Sequence, residues 1–284
     1  MTTTALETKN KPGVVYIKPS RGWVSLRLKD LWEYRELIYF LTWRDIKVRY
    51  KQSVLGIMWA VINPFMSMVV YTIFFGTLAK IPSDGVPYPI FSYTALLPWI
   101  LFSSALSVAS RSMVSSGNMI SKVYFPRMIV PLASVMSSVV DFFIAFIILI
   151  GMMIFYQITP TIAILWLPPL ILLALISALG VGFWFSALMV RYRDVGYLMP
   201  FVTELWKFLT PVVYPASMIP EKWRLLYSLN PMTGVVEGFR YALLGTTQSI
   251  SLPMIMVSSG IAILVLISGL FYFRRMEKQF ADMI

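Results

Sequence analysis

"RYRDV", residues 191–195, interrupts a very long apolar stretch. From Met128 to Val190 the chain carries a single charged side chain, Asp141. Arg191, Arg193 and Asp194 then arrive together, and an apolar run resumes. So short a break leaves its flanking segments adjacent and antiparallel. The side on which its arginines fall decides how the rest of the chain is threaded.

The chain has 284 residues, of which 58% are hydrophobic and 13% charged, and its mean hydropathy is +0.75. An ordinary globular chain is about a quarter charged. A soluble fold would have to bury whole apolar runs rather than one face of each element, so the reading is an all-α integral membrane protein. Crossing roughly 30 Å of hydrocarbon takes about 20 apolar residues in a helix. Val54–Ala79, Gly85–Ser110 and Tyr241–Phe273 are uncharged, and Met128–Val190 is long enough for two crossings with a break at "QITPT", Gln157–Thr161. Val195–Pro220 is the ambiguous segment, because it holds Glu204 and Lys207.

Charge sets the count. Cytoplasmic loops are enriched in Lys and Arg. Six crossings with the N-terminus inside place the eleven basic residues before Ser53 inside, with Arg111, Lys122, Arg127, Arg191, Arg193, Arg274, Arg275 and Lys278. Only Lys80, Lys222, Arg224 and Arg240 fall outside, and Lys207 within the bilayer. Five crossings would put "FRRMEKQ" outside. Six spans are therefore expected, at about 53–79, 89–112, 131–156, 162–190, 196–217 and 250–273, with both termini cytoplasmic. RYRDV becomes the cytoplasmic turn between spans four and five, where Asp194 can stabilise the following helix N-terminus and pair with Arg191.

The net charge of +11 is accounted for by this topology and by anionic lipid at the inner leaflet, so no nucleic-acid partner is expected. The first fifty residues are polar and basic, unlike a signal peptide. The chain has no Cys and no His, which excludes disulfides, zinc sites and His-based acid–base chemistry.

Residues 1–29 read as a disordered tail. Asp30–Lys51 reads as a basic amphipathic helix on the inner membrane surface: Leu31, Tyr34, Ile38 and Leu41 share one face, Arg44, Lys47 and Lys51 another, and Trp32, Tyr39, Trp43 and Tyr50 suit a headgroup boundary. Packing on a cytoplasmic partner is the alternative, and both can hold for its two faces. Residues 52–284 read as one membrane domain without internal repeat. In its loop Ser116–Pro131, Ser115 or Ser116 can cap a short helix ending before Pro126. Between spans five and six, "PEKWRLLYSLNP" and "VVEGFRYALLG" are too short to cross and read as two external re-entrant helices about the Asn230–Pro231 turn.

No G-x-x-x-x-G-K-[ST] pattern is present, so the chain has no phosphate loop for ATP. Asp141, Glu204 and Lys207 are the intramembrane charges; each should face protein or water, and Glu204 and Lys207 are spaced to pair. Thr203, Lys207, Thr210 and Tyr214 fall within about 60° on an ideal helix, a polar stripe facing either a conduit or the chain's own bundle. Pro211 and Pro215 are expected to kink that helix. Tyr71, Phe74, Phe75 and Leu78 form an aromatic stripe suited to sugar rings, to lipid or to packing. A lipid-embedded transferase would need convergent acids or His, which are lacking.

In order along the chain, "YKQSVLGIMWAVINP" (Tyr50–Pro64), "YFPRMIVPLASV" (Tyr124–Val135), "RYRDVGYLMPFVTELWKFLTPVVYP" (Arg191–Pro215) and "LNPMTGVVEGFRYALLG" (Leu229–Gly245) resemble permeases of ABC-2 type polysaccharide exporters. Nearly everything after residue 30 is covered, and the best fit is to the branch exporting lipid-linked O-antigen. The resemblance implies a homodimer of six-helix subunits in a bacterial plasma membrane, joined to two cytosolic ATPase subunits that bind ATP and Mg; no cofactor is expected in this chain. It implies a channel for lipid-linked polysaccharide between the protomers. Tyr71, Phe74, Phe75, Thr203, Glu204, Lys207, Thr210 and Tyr214 are the expected pathway residues. Asn118, Ser121, Lys122, Val123, Tyr124 and Phe125 map onto the ATPase coupling helix, and Asp30–Lys51 onto the interface helix. Trp223, Asn230, Pro231, Glu237 and Arg240 map onto gates over the channel mouth. The Glu204–Lys207 pair departs from the expected apolar and aromatic lining. Exporters of capsule, teichoic acid, small lipids or drugs share the fold, and a passive channel would need no ATPase.

Overall fold

The computed structural model describes residues 28–51, 54–245 and 252–280. The predicted tail before Leu28 and the start of the sixth predicted span lie outside the described residues. Within them the regular structure is entirely helical: α1 (Leu28–Glu33), α2 (Arg35–Lys51), α3 (Val54–Tyr71), α4 (Tyr88–Ser115), α5 (Gly117–Ile120), α6 (Ile129–Phe155), α7 (Leu167–Arg191), α8 (Val195–Phe208), α9 (Glu221–Tyr227), α10 (Pro231–Leu244) and α11 (Leu252–Met276). A π-helical turn, Thr72–Leu78, prolongs α3.

Five of the described helices are long and apolar enough to cross a membrane: Met58–Leu78, Tyr88–Ser115, Ile129–Phe155, Ile162–Arg191 and Leu252–Met276. The fifth predicted span behaves differently. α8 has 14 residues, roughly 21 Å of helix, and stops before Pro211 and Pro215. The expected kink is therefore a helix end. Chain 210–213 beyond it is buried, which is where non-helical backbone can exist at membrane depth.

α4 is the hub, packed against α3, α6, α7, α8 and α10. Its buried face mixes Ala95, Ala105 and Ala109 with Thr94 and Ser110. The hydroxyls are satisfied within the helix, Thr94 donating to the Ile90 carbonyl at 2.8 Å and Ser110 to that of Leu106 at 2.7 Å. Small side chains then permit close approach. A Cβ on Gly182 of α7 would lie 2.7 Å from that of Ala109, and one on Gly180 would lie 2.7 Å from the Leu266 backbone of α11.

α2 lies along α6 and buries Leu41 in a cluster with Met113, Phe125, Ile129, Phe273 and Phe280. Leu31, Tyr34 and Ile38 pack against the same cluster, so the predicted apolar face covers the chain's own bundle. Trp32, Tyr39 and Trp43 remain exposed. The break between α6 and α7 falls at Gln157, whose φ is 56°. α10 starts at Pro231, capped by the Asn230 side chain, and ends on Gly245 at φ 69°, as a left-handed C-cap favours.

Candidate functional site

α3, α4, α6 and α8 surround a cavity of about 700 Å³ that also takes Arg49 from the end of α2. Its polar lining is Asn63, Ser103, Ser104, Ser107, Ser138, Asp141 and Thr203, among apolar Trp59, Leu97, Phe142 and Met199. Ser103 and Ser104 of α4 share a helix face with Ser107, which lies at i+4 and i+3 respectively. A second cleft of about 440 Å³ adjoins it, sharing Arg49 and Ser107 and adding Arg44, Asp45, Arg111, Ser115, Ser116, Ser134 and Ser137.

Asp141 stands at the centre. The sequence reading leaves it alone on its span; the structure gives it two partners from α2. Arg49 Nη1 pairs with Oδ2, and the Tyr50 hydroxyl donates to Oδ1. Arg49 Nη2 also reaches Ser137 Oγ at 3.4 Å. Burial, reinforced by Asp141, pushes the Tyr50 phenol above its ordinary range. Tyr50 is thus a ligand of Asp141 rather than a headgroup anchor. One turn earlier, Ser134 donates to Asp45 at 3.2 Å and Thr42 to the Ala133 carbonyl at 3.2 Å.

The expected pathway residues divide. Thr203 lines the cavity. Lys207 pairs with Glu204 and lies 5.9 Å from the Tyr71 ring centroid, so three of the candidates meet where α8 faces α3. Phe75 packs edge-on against Tyr71, with centroids 5.8 Å apart, while Phe74 is exposed. Thr210 and Tyr214 do not continue a stripe, because α8 has already ended. Thr210 is fully buried, donates to the Trp206 carbonyl at 2.9 Å and accepts from Asn230 Nδ2 at 2.9 Å. The Tyr214 hydroxyl lies 2.5 Å from that of Tyr227.

Asn230 and Arg240 hold this non-helical stretch. Asn230 accepts from Trp206 Nε1 and the Met232 amide, both at 3.0 Å, and donates to the Leu209 carbonyl at 3.0 Å. Arg240 is completely buried. It donates to Glu237 at 2.7 Å and to the Val212 carbonyl at 2.9 Å, and its guanidinium sits 3.7 Å from the centroid of Phe91. Glu237 accepts from the Ala216 amide at 3.2 Å. Pro231, Glu237 and Arg240 therefore lie inside the bundle; of the expected gate residues Trp223 is the exposed one.

At the other end, Asn118, Ser121, Lys122, Val123 and Tyr124 are exposed around the four-residue helix α5, whereas Phe125 belongs to the buried cluster under α2. Ser116 occupies the N-cap position of α5 without a side-chain bond. Arg191, Arg193 and Asp194 are all exposed. Asp194 precedes α8 but its side chain makes no capping bond, and Arg191 lies against the Tyr192 ring at 5.2 Å rather than on Asp194. Arg127 donates to the Glu277 carbonyl at 2.6 Å, tying the loop after α5 to the end of α11.

The model of the ABC-2 type transporter family matches residues 36–244, from the α2 helix to the end of α10. The chain belongs to the ABC-2 type transporter family. An O-antigen export system permease protein RfbA from Klebsiella pneumoniae is 29% identical over 250 residues, covering 88% of this chain and 95% of that protein. Another RfbA, from Myxococcus xanthus, is 27% identical over 260 residues, 90% of this chain and 98% of its own length. The polysialic acid transport protein KpsM of Escherichia coli is 21% identical over 209 residues, covering 71% and 78%. The chain is thus a multi-pass membrane protein of the ABC-2 type transporter family.

The sequence reading missed Arg49, Tyr50 and the serines of α4 and α6. A signal for the first existed: an intramembrane carboxylate calls for a cation, and Arg49 closes the helix that precedes the first span. The serines carry no such signal, because hydroxyls in apolar helices usually bond their own backbone.

Proposed function

We propose that this chain is the permease subunit of an ATP-driven exporter that moves a lipid-linked polysaccharide of the O-antigen class across the bacterial plasma membrane. It works as a homodimer with two cytosolic ATPase subunits, six crossings per subunit and both termini cytoplasmic. The observation that carries the reading is the serine-rich cavity with its Arg49–Asp141 pair, set among the long apolar helices. Charges and hydroxyls at membrane depth are costly unless they face protein or a watered path. Hydroxyl and amide groups beside Trp59 suit a glycan, which hydrogen-bonds at its edges and stacks on aromatic faces.

α3 with its π-helical extension and α8 present Trp59, Phe65, Phe74, Tyr197, Phe201 and Leu205 exposed. A second copy covers this face, and the polymer passes between the two. α8 with the buried segment after it provides the remaining crossing. Exposed Asn118, Ser121, Lys122, Val123 and Tyr124 are the seat for the ATPase, and the Trp223 face of α9 lies toward the outer mouth. The resemblance to RfbA proteins along nearly their whole length supports O-antigen over capsule.

Copurification tests the assembly. Expressed with its cognate ATPase, the tagged permease should emerge as a two-plus-two complex that hydrolyses ATP, which the permease alone does not. A permease that purifies as a lone monomer, and exports polymer without any ATPase, contradicts the proposal.

A further inference from the structure

The loop that follows α5 is fastened to the chain just past α11 by a reciprocal pair of bonds. Arg127 donates through Nη1 to the Glu277 carbonyl at 2.6 Å, and its backbone amide donates to the Glu277 carboxylate at 3.3 Å. Arg274, one turn back on α11, pairs with the other carboxylate oxygen and so fixes that side chain. Two residues earlier in the loop, Phe125 enters the buried cluster that holds Phe273 and Phe280. A helix end needs donors for its last carbonyls, and an Arg often supplies one. Capping explains the first bond. It does not explain why the carboxylate reaches back to the amide of a residue 150 positions away.

The other end of α11 grips the joint between α9 and α10. Ser258 is completely buried, and its hydroxyl lies 3.0 Å from the Ser228 carbonyl and 3.4 Å from that of Asn230. Ser228 closes α9, and Asn230 caps α10. A Cβ on Gly234 of α10 would stand 2.7 Å from that of Ser258, so the joint meets α11 without slack. From Ser258 to Met276 the helix runs roughly 27 Å. Its proline, Pro253, sits in the first turn, where no bond is broken. α7 splints it, because Gly269 backs so closely onto the Gly180 carbonyl that a Cβ would stand 2.2 Å from the oxygen.

We propose that Glu277 is a positioning residue for energy coupling: it seats the loop after α5 on α11, and α11 carries the displacement of that loop to the α9–α10 joint at Ser258. Coupling between distant sites travels through packed side chains, hydrogen bonds and rigid elements, and here the three are continuous from Arg127 to Asn230. The inference rests on the export reading, in which the loop around α5 meets the ATPase and α9 lies toward the outer mouth.

The native chain has no Cys, so Lys222→Cys, on an exposed residue of α9, takes a single bimane label before the permease is assembled with its ATPase in nanodiscs. The ATP-driven fluorescence shift is read beside ATP hydrolysis, well below the Tm of each variant. Glu277→Ala should shrink the shift at least about fivefold while ATP hydrolysis continues. Glu277→Gln, whose amide oxygen still accepts from the Arg127 amide, should keep most of it. Ser258→Ala should shrink it as Glu277→Ala does. Losses at independent sites so far apart combine; on one route the double variant loses no more than the larger single loss. A full shift in Glu277→Ala or Ser258→Ala, an equal loss in Glu277→Gln, or combined losses in the double variant overturns the route. A fall in ATP hydrolysis matching the fall in shift also overturns it, by making Glu277 part of the ATPase seat. No shift in the Lys222→Cys chain, while the complex exports polymer, sinks this inference alone; a permease that recruits no ATPase sinks the reading beneath it.

Discussion

Arg240→Met removes one cation from the interior and keeps most of its volume. Three consequences can be counted. Glu237 loses the guanidinium 2.7 Å away; the Val212 carbonyl loses its donor at 2.9 Å and that of Tyr214 its donor at 3.2 Å. Breaking a buried pair from one side costs about 3–5 kcal/mol, and each orphaned carbonyl adds about 1–3 kcal/mol. Water entry and a turn of the peptide groups recover part of this, so a net loss of roughly 4 kcal/mol is expected. In a chain of this size that lowers Tm by roughly 10 °C. Thermal unfolding of the detergent-purified protein, followed by tryptophan fluorescence, measures it. Adding Glu237→Gln should recover about 2 kcal/mol by removing the stranded carboxylate. A Tm for Arg240→Met within about 2 °C of wild type would refute the reasoning, because the stretch after α8 would then be held by something else.

Phe125→Ala should cost about 3–5 kcal/mol, as for any large core aromatic, whereas Tyr124→Glu should leave Tm unchanged and uncouple ATP turnover from export; paired export and melting measurements separate the two. Gly180→Val should prevent α7 and α11 from closing and abolish folded protein, read as loss of the monodisperse peak on size exclusion; normal yield contradicts the close crossing. Because the native chain has no Cys, Thr203→Cys and Thr210→Cys can be compared directly with a small water-soluble maleimide. The cysteine at 203 should be labelled and the one at 210 protected, and the reverse order would place the cavity wrongly.

The apolar runs announced the membrane helices, since nothing but burial in lipid accommodates them, and five of those spans follow the runs closely. The fifth predicted span was legible only in its first half. Its polar residues lie at helical spacing, but a pattern cannot say that the helix stops at Phe208; Pro211, Pro215 and the waiting donors of Asn230 and Arg240 decide that through tertiary contacts. Glu237 and Arg240 belong to a segment read as too short to cross; that they are buried and paired at 2.7 Å is a tertiary contact its local pattern does not carry. Asp141 was recognised as needing company, but its partners are about ninety positions away, a distance over which one sequence offers no register. The serine-lined cavity is a product of packing, assembled from four helices, and no local stretch of the chain encodes it.

Loss of the chain from its host tests the central claim most directly. Surface polysaccharide and cytoplasmic lipid-linked polymer are quantified in a strain lacking this gene and in one expressing it from a plasmid. The account predicts that the polymer disappears from the surface, accumulates on its lipid inside the cell, and returns to the surface on complementation. Unchanged surface polymer, or loss without any internal accumulation, would contradict export as the function of this protein.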